Sequence, residues 1–181
     1  MKNEKKKILT ESDLKKKFRN FKNFFEFPDN MKFLIDKGAL AQFYCILLFN
    51  HKLNPKFRTE SIDLLSINNN KYNYEVKNRH ITQKKLVSIL NGKASPDEVP
   101  INFDDIDFVY YVYLHNKSFM PLCIFKIPID EIKKKKNRKR KNAKGNFGKE
   151  FRNNIPNIKK FIIYKDTKFF DKYKNKLKDI N

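Results

Sequence analysis

The chain has 181 residues, about the size of one domain, so we expect a single domain over residues 1–181 with one sizeable core. A hydrophobic content of 40%, with 18 Phe and 8 Tyr, argues against a disordered chain, and two cysteines in apolar surroundings, Cys45 and Cys123, argue against a disulfide framework. The longest apolar run, Ala39 to Phe49, is too short to span a bilayer, and the charged start lacks an apolar signal segment. We therefore expect a cytoplasmic protein with no membrane partner.

The net charge of the chain points to a polyanionic partner. There are 41 Lys and Arg residues against 20 Asp and Glu residues, which gives a formal charge of +21. Such a balance favours binding through phosphate contacts and counterion release. A GC-poor genome would also enrich lysine, but it should enrich acidic residues nearly as readily, so codon bias alone does not explain the excess. We therefore expect a nucleic acid as the partner.

Helices are predicted in the first part of the chain. An amphipathic helix is predicted over Thr10 to Phe25, with Thr10 and Asp13 as its capping box. A short helix is predicted over Asn30 to Lys37, and a longer one begins near Gly38 with the sequence GALAQFYCILLFN. The broad apolar stripe of the longer helix is expected to pack against a sheet.

A hairpin follows these helices. Two short strands are predicted at Ile62 to Ile67 and Tyr72 to Val76, where β-favouring residues are concentrated. Asn68 to Asn70 form the predicted turn, because asparagine tolerates turn backbone angles. Side chains alternate across a strand, so Glu75 and Lys77 are expected to share a face.

The length of the turn decides whether a third ionisable residue, Asp63, joins that face. A three-residue loop pairs Ile67 with Lys71 and places Asp63 opposite Glu75, whereas a two-residue loop would separate them. Two carboxylates and the Lys77 ammonium would suit a hard divalent cation, since Mg²⁺ takes oxygen ligands. Such a cation lowers the pKa of a water nucleophile and stabilises charge on a phosphoryl oxygen, while a lysine orients the water or assists its deprotonation. We therefore expect Mg²⁺, or Mn²⁺, as the cofactor, with Asp63 and Glu75 as its ligands.

An Asp followed by Glu-x-Lys on a hairpin resembles the PD-(D/E)XK nuclease superfamily, which includes many type II restriction endonucleases. The resemblance is in pattern and element order and covers about Lys37 to Ile132, with Ile62 in place of the proline. In that family a helix precedes the hairpin and often supplies an acidic residue, and Gln42 stands at that place here. The resemblance implies a Mg²⁺-dependent DNA endonuclease with a restriction endonuclease-like core. Its catalytic residues would be Asp63, Glu75, Lys77 and Gln42.

The resemblance also bears on the oligomeric state. A small restriction enzyme with one active site per chain would need two copies to cut both strands. A symmetric dimer matches a palindromic site, so we expect a homodimer on double-stranded DNA.

Other interpretations of the hairpin stay open. Acid-x-Lys recurs in this lysine-rich chain, for example at Asp13/Lys15, although only Glu75/Lys77 lies inside an apolar strand with an upstream Asp on a partner strand. An ordinary surface hairpin with a cross-strand ion pair would give the same pattern. The rival functions are a non-catalytic DNA- or RNA-binding protein, and a repair nuclease or junction resolvase of the same superfamily.

The remaining elements favour an α/β fold. Thr82 is predicted to cap the helix that follows the hairpin. Two strongly apolar strands are predicted at Ile106 to Leu114 and Phe119 to Ile127, and such strands are usually covered on both faces. A last strand is predicted at Phe161 to Tyr164 and a last helix near Thr167 to Ile180. We therefore expect a central mixed β-sheet flanked by helices.

The segment 133–149, KKKKNRKRKNAKGNFGK, is the most basic part of the chain. It is predicted to be a mobile loop that embraces a nucleic-acid backbone. In isolation it also fits a nuclear localisation signal, an RNA-binding arm or a solvated linker. The expected nucleic-acid contacts are Arg138, Lys139, Arg140, Lys141 and Lys144.

Overall fold

In a computed structural model, the described residues are 8–17, 36–56, 62–67, 72–92, 105–136 and 158–177. Within these ranges the chain forms a mixed sheet with helices on both faces. The strands are β1 (Leu9–Thr10), β2 (His51–Leu53), β3 (Leu64–Ser66), β4 (Asn73–Ile81), β5 (Phe108–His115), β6 (Pro121–Pro128) and β7 (Ile162–Lys165). The helices are α1 (Glu11–Lys17), α2 (Lys37–Phe49), α3 (Gln83–Leu90), α4 (Ile129–Lys136) and α5 (Thr167–Lys172), with 3₁₀ turns at Ile158–Phe161 and Lys174–Lys176.

The sheet has the strand order β1-β7-β6-β5-β4-β3-β2. Strands β4 and β5 pair in parallel from Tyr74 with Phe108 to Ile81 with His115, and α3 lies between them in the sequence, as a parallel crossover requires. Strands β1 and β7 are also parallel, and the other neighbours are antiparallel. The expected α/β fold with a mixed sheet between helices is confirmed.

Hydrophobic cores lie on both faces of this sheet. One is shared with α3, α4 and α5, which contribute Leu86, Ile132 and Phe169 among others. The other is shared with α1 and α2, which contribute Leu14 and Tyr44. Strands β5 and β6 are buried on both faces, as their apolar sequences predict. Both cysteines are buried and free, and none of the described helices is long and apolar enough to cross a membrane.

Local capping sets the ends of the helices next to the hairpin. The Asp36 side chain accepts hydrogen bonds from the main-chain nitrogens of Gly38 and Ala39 at 2.7 and 3.1 Å and so starts α2. Asn50 ends α2 in the left-handed conformation, with φ of 58°, and the chain enters β2 directly. Thr82 caps α3 as predicted, because its hydroxyl accepts from the Lys85 nitrogen at 3.3 Å.

Several predicted boundaries are wrong. Strand β3 is shorter than the run Ile62 to Ile67, while β4 continues beyond Val76 to Ile81. The basic segment does not begin as a loop, because α4 continues through Lys136. The last helix ends at Lys172 and a 3₁₀ turn follows it. The two short edge strands β1 and β2 were not predicted, since runs of two and three residues carry too little periodicity.

Other predictions fall outside the described residues. These are the helix beyond Lys17, most of the short helix at Asn30 to Lys37, and the turn at Asn68 to Asn70. The same holds for the expected nucleic-acid contacts Arg138, Lys139, Arg140, Lys141 and Lys144.

Candidate active site

The register of β3 on β4 brings the predicted site residues into one region. Leu64 pairs with Tyr74 and Leu65 pairs with Asn73 in antiparallel fashion. This is the register that a three-residue loop requires, and the pairing ends at Leu64, one residue short of the predicted pair of Asp63 with Glu75.

Asp63 lies directly before β3, at the point where this strand leaves β4. Its main-chain nitrogen still donates to the Tyr74 carbonyl at 2.9 Å, but the Val76 nitrogen donates to Asp63 Oδ2 at 2.7 Å. A side-chain oxygen thus takes the place that a strand carbonyl would occupy in a continued ladder. Asp63 therefore directs one carboxylate oxygen to the β4 main chain, and the charge of Lys77 still acts on this carboxyl group.

Helix α2 supplies the next group of the site. Gln42 Nε2 donates a hydrogen bond to Asp63 Oδ1 at 2.8 Å. The buried stripe of α2, which includes Leu40, Ala41 and Tyr44, fixes this helix against the sheet and leaves Gln42 half-buried beside Asp63. Both oxygens of the Asp63 carboxylate therefore have a donor from the surrounding fold.

Glu75 and Lys77 lie on β4 and form an ion pair through Glu75 Oε1. Glu75 is only 6% exposed, whereas the Lys77 side chain is 26% exposed. Glu75 Oε2 is buried and has no hydrogen-bond partner within the described part of the chain. The pair runs along one strand and its acid is buried, so it differs from a cross-strand ion pair on an ordinary surface hairpin.

The two carboxyl groups share one electrostatic environment. Burial raises the pKa of Asp63, against the opposing effects of the Val76 N–H, Lys77 and Gln42. Burial also raises the pKa of Glu75, Lys77 opposes that rise, and the charge of Asp63 adds to it. The charge of Asp63 therefore destabilises the ionised form of Glu75, and a cation beside them would have the opposite effect.

The two carboxylates of Asp63 and Glu75 suit a metal ion that keeps much of its coordinated water. Among the described residues, no group of three or more His, Cys, Asp or Glu side chains is placed to hold a metal ion. Mg²⁺ is often bound through one or two carboxylates together with waters. Asp63 and Glu75 would supply that number. One ligand atom would be Glu75 Oε2, for which the described residues provide no hydrogen-bond partner.

Sequence reasoning missed one polar residue beside Asp63. Asn54 follows β2, is 5% exposed, and binds the carbonyl oxygens of both Ile62 and Asp63. The only signal in the sequence is the dipeptide Asn54-Pro55, which indicates a turn but not its neighbour in space.

Two further polar residues, His51 and Gln83, make hydrogen-bond contacts with other parts of the fold. His51 Nε2 lies 2.7 Å from the Tyr110 hydroxyl, and burial lowers the pKa of His51 to about 4. Gln83, at the start of α3, accepts hydrogen bonds from Lys172 and Tyr173. Both side chains thus make hydrogen bonds that hold elements of the fold together.

Comparison of the chain with models of protein families and with curated proteins gives no match. A function must therefore be inferred from the residues that the fold brings together, which are Gln42, Asp63, Glu75 and Lys77.

Proposed function

We propose that the protein is a Mg²⁺-dependent DNA endonuclease that hydrolyses phosphodiester bonds, and that it acts as a type II restriction endonuclease. The observation that carries the proposal is a buried Glu75 whose Oε2 has no hydrogen-bond partner among the described residues and which feels the charge of Asp63, where β3 leaves β4. The order of α2 and the β3–β4 hairpin supports a restriction endonuclease-like core, because a helix precedes the hairpin in the family that the sequence resembles.

Asp63 and Glu75 would hold the metal ion. Both are carboxylates, which Mg²⁺ and Mn²⁺ prefer, and the raised pKa of each indicates that a cation would stabilise its ionised form. When bound, the ion lowers the pKa of water and stabilises charge on a phosphoryl oxygen. The Gln42 amide fixes the direction of the Asp63 carboxylate but brings no charge.

Lys77 would act on the attacking water. Its ammonium is anchored by Glu75 Oε1, while a quarter of the side chain, 26%, remains exposed. A lysine in that position can orient a water molecule towards the phosphorus atom or assist its deprotonation. Lys77 also contributes positive charge where the negative phosphate would lie.

The substrate that fits the chain best is double-stranded DNA. The formal charge of +21 favours a polyanion, and phosphate contacts supply much of the affinity for nucleic acids. The basic residues Arg138, Lys139, Arg140, Lys141 and Lys144 are proposed to contact its backbone.

A metal-dependent plasmid cleavage assay tests the proposal. We expect Glu75→Ala and Asp63→Ala to abolish Mg²⁺-dependent cleavage but not DNA binding, because each removes a metal ligand and one charge that repels phosphate. Lys77→Met should slow cleavage by about 10²–10⁴-fold, the usual contribution of a positioned proton-transfer group, while metal binding persists.

Asp107→Ala is the matched control. The Asp107 carboxylate accepts from the Asn73 nitrogen at 2.8 Å, at the start of β4, as Asp63 accepts from Val76 further along the same strand. This variant should retain cleavage.

The outcomes separate the rival functions. A wild-type protein that binds DNA but cuts none of a varied set of substrates with Mg²⁺ or Mn²⁺ would be a non-catalytic binding protein. Where cleavage occurs, sequencing of the cut ends separates a restriction enzyme from a repair nuclease or a junction resolvase. Wild-type cleavage rates in all three site variants would place the chemistry elsewhere.

A further inference from the structure

Asn54 holds the main chain on the side of Asp63 that faces away from β4. Its main-chain nitrogen donates to the Asp63 carbonyl at 2.9 Å, and its Nδ2 donates to the Ile62 carbonyl at 2.9 Å. Its Oδ1 accepts from the Lys56 nitrogen at 3.1 Å, which closes the turn after β2. One buried asparagine thus binds two consecutive carbonyls and fixes its own turn.

These bonds lie just beyond the last residue pairs that β3 makes with β2 and with β4. The last pair between β2 and β3 is Leu53 with Leu64, and Asn54 extends that ladder to Asp63 by its main chain. The next carbonyl, that of Ile62, is bound by the Asn54 side chain. On the β4 side, the Asp63 carboxylate has already replaced the carbonyl as the acceptor for Val76.

The direction of the Asp63 carboxylate therefore depends on how its main chain is held. The contacts to Val76 and Gln42, at 2.7 and 2.8 Å, require the Asp63 α-carbon to stay beside β4 although the pairing of β3 with β4 ends at Leu64. With the Asn54 amide absent, the Ile62 carbonyl would lose its donor, and water would compete for it. Residues 62 and 63 could then shift together.

We propose that Asn54 is a positioning residue that sets the Asp63 carboxylate for metal binding and phosphodiester hydrolysis. This inference rests on the proposed function. Residues that hold a metal ligand in place commonly change metal affinity or activity by roughly 10–100-fold when replaced. The same range is expected here.

Three variants of the full chain test this role. Asn54→Ala removes all side-chain contacts. Asn54→Ser keeps a hydroxyl that can accept from Lys56 but is one bond shorter and has no amide for Ile62. Asn91→Ala is the matched control, because Asn91 Nδ2 also donates to a main-chain carbonyl, that of Lys176 at 2.7 Å.

The measurements are Mn²⁺ affinity by calorimetry or electron paramagnetic resonance, thermal stability, and cleavage rate against Mn²⁺ and DNA concentration. We expect both Asn54 variants to bind Mn²⁺ roughly 10–100-fold more weakly, with a lower kcat and an unchanged KM for DNA. Excess Mn²⁺ should restore part of the rate in the Asn54 variants but not in Asp63→Ala. Asn91→Ala should lose stability and keep the wild-type Mn²⁺ affinity.

The two hypotheses fail in different ways. A folded Asn54→Ser variant with wild-type Mn²⁺ affinity overturns the role of Asn54 and leaves the proposed function standing. A wild-type protein that binds no Mn²⁺ overturns both. If both Asn54 variants fail to fold, Asn54 serves stability alone and its positioning role is overturned.

Discussion

The contact between Gln42 and Asp63 allows a direct test of the site through protein stability. Gln42 Nε2 donates to Asp63 Oδ1 at 2.8 Å. Gln42→Glu keeps the size of the side chain but places a second carboxyl group against the first. Two carboxylates in contact cannot both ionise freely, so one of them is expected to retain a proton.

The repulsion can be estimated from Coulomb's law. Two unit charges about 4 Å apart repel by about 4 kcal/mol at an effective dielectric constant of about 20. For a chain of this size, each 1 kcal/mol lowers Tm by roughly 2–4 °C, so full ionisation of the pair would lower Tm by roughly 8–16 °C.

The pH dependence has a definite sign. The proton-retaining carboxyl has a folded-state pKa above its unfolded value. The variant is therefore most stable while that proton is present, and it loses stability as the pH rises through the raised pKa. Burial already raises the pKa of Asp63 in the wild type, but the amide N–H of Gln42 opposes that rise, so the wild-type loss should be smaller.

Thermal unfolding at mildly acidic and mildly alkaline pH, with and without Mg²⁺, measures these effects. At alkaline pH, Mg²⁺ should raise the Tm of Gln42→Glu more than that of the wild type, because a cation relieves the repulsion and gains a ligand. Gln83→Glu is the matched control, since Gln83 Oε1 accepts from Lys172 and Tyr173 at 3.4 Å and a carboxylate there gains a cation as its neighbour.

Two results would refute this reasoning. Equal stability of Gln42→Glu and wild type at both pH values would mean that residue 42 does not face the Asp63 carboxylate. Equal stabilisation of Gln42→Glu and Gln83→Glu by Mg²⁺ would mean that the ion binds outside the Asp63 region.

Two predictions concern DNA binding and assembly. Replacing Arg138, Lys139, Arg140 and Lys141 with Gln should weaken DNA binding broadly across sequences and flatten its salt dependence, because fewer counterions are released. A salt slope unchanged in a fluorescence titration would show that these residues make no phosphate contacts. The active enzyme should be a symmetric dimer that cuts both strands. Light scattering on a cognate duplex measures this oligomeric state. A strict monomer that leaves only single-strand nicks would favour a nickase or a repair enzyme.

The hairpin register was predictable as one of two alternatives because it depends on local chemistry. A run of three asparagines limits the loop length, and the period of a strand then determines which residues come opposite each other. The same is true of β5 and β6, whose apolar runs predict burial on both faces. The Thr82 cap likewise depends on neighbours within one turn of helix.

The parts that could not be predicted depend on residues distant in sequence. β-Propensity extends over Ile62 to Ile67, so it gives no sign that Asp63 replaces a strand carbonyl with its side chain. The burial of Glu75, which pairs with Val109 of β5, depends on the packing of the whole sheet, which a single strand sequence does not encode. The role of Asn54 depends on β2, a three-residue edge strand without periodicity.

The energetics of the carboxylate pair support the proposed ion-binding site. Burial destabilises the charged forms of Asp63 and Glu75, and each acid must be held by dedicated donors, Gln42 and the Val76 N–H for one and Lys77 for the other. Buried ion pairs often add little net stability, and uncharged side chains of similar size commonly serve a structural role at least as well. A hairpin with no function would gain nothing from a buried Glu75 oxygen that has no hydrogen-bond partner within the described part of the chain. A divalent cation would bind that oxygen and relieve the repulsion, which gives these two acids a physical reason to lie together.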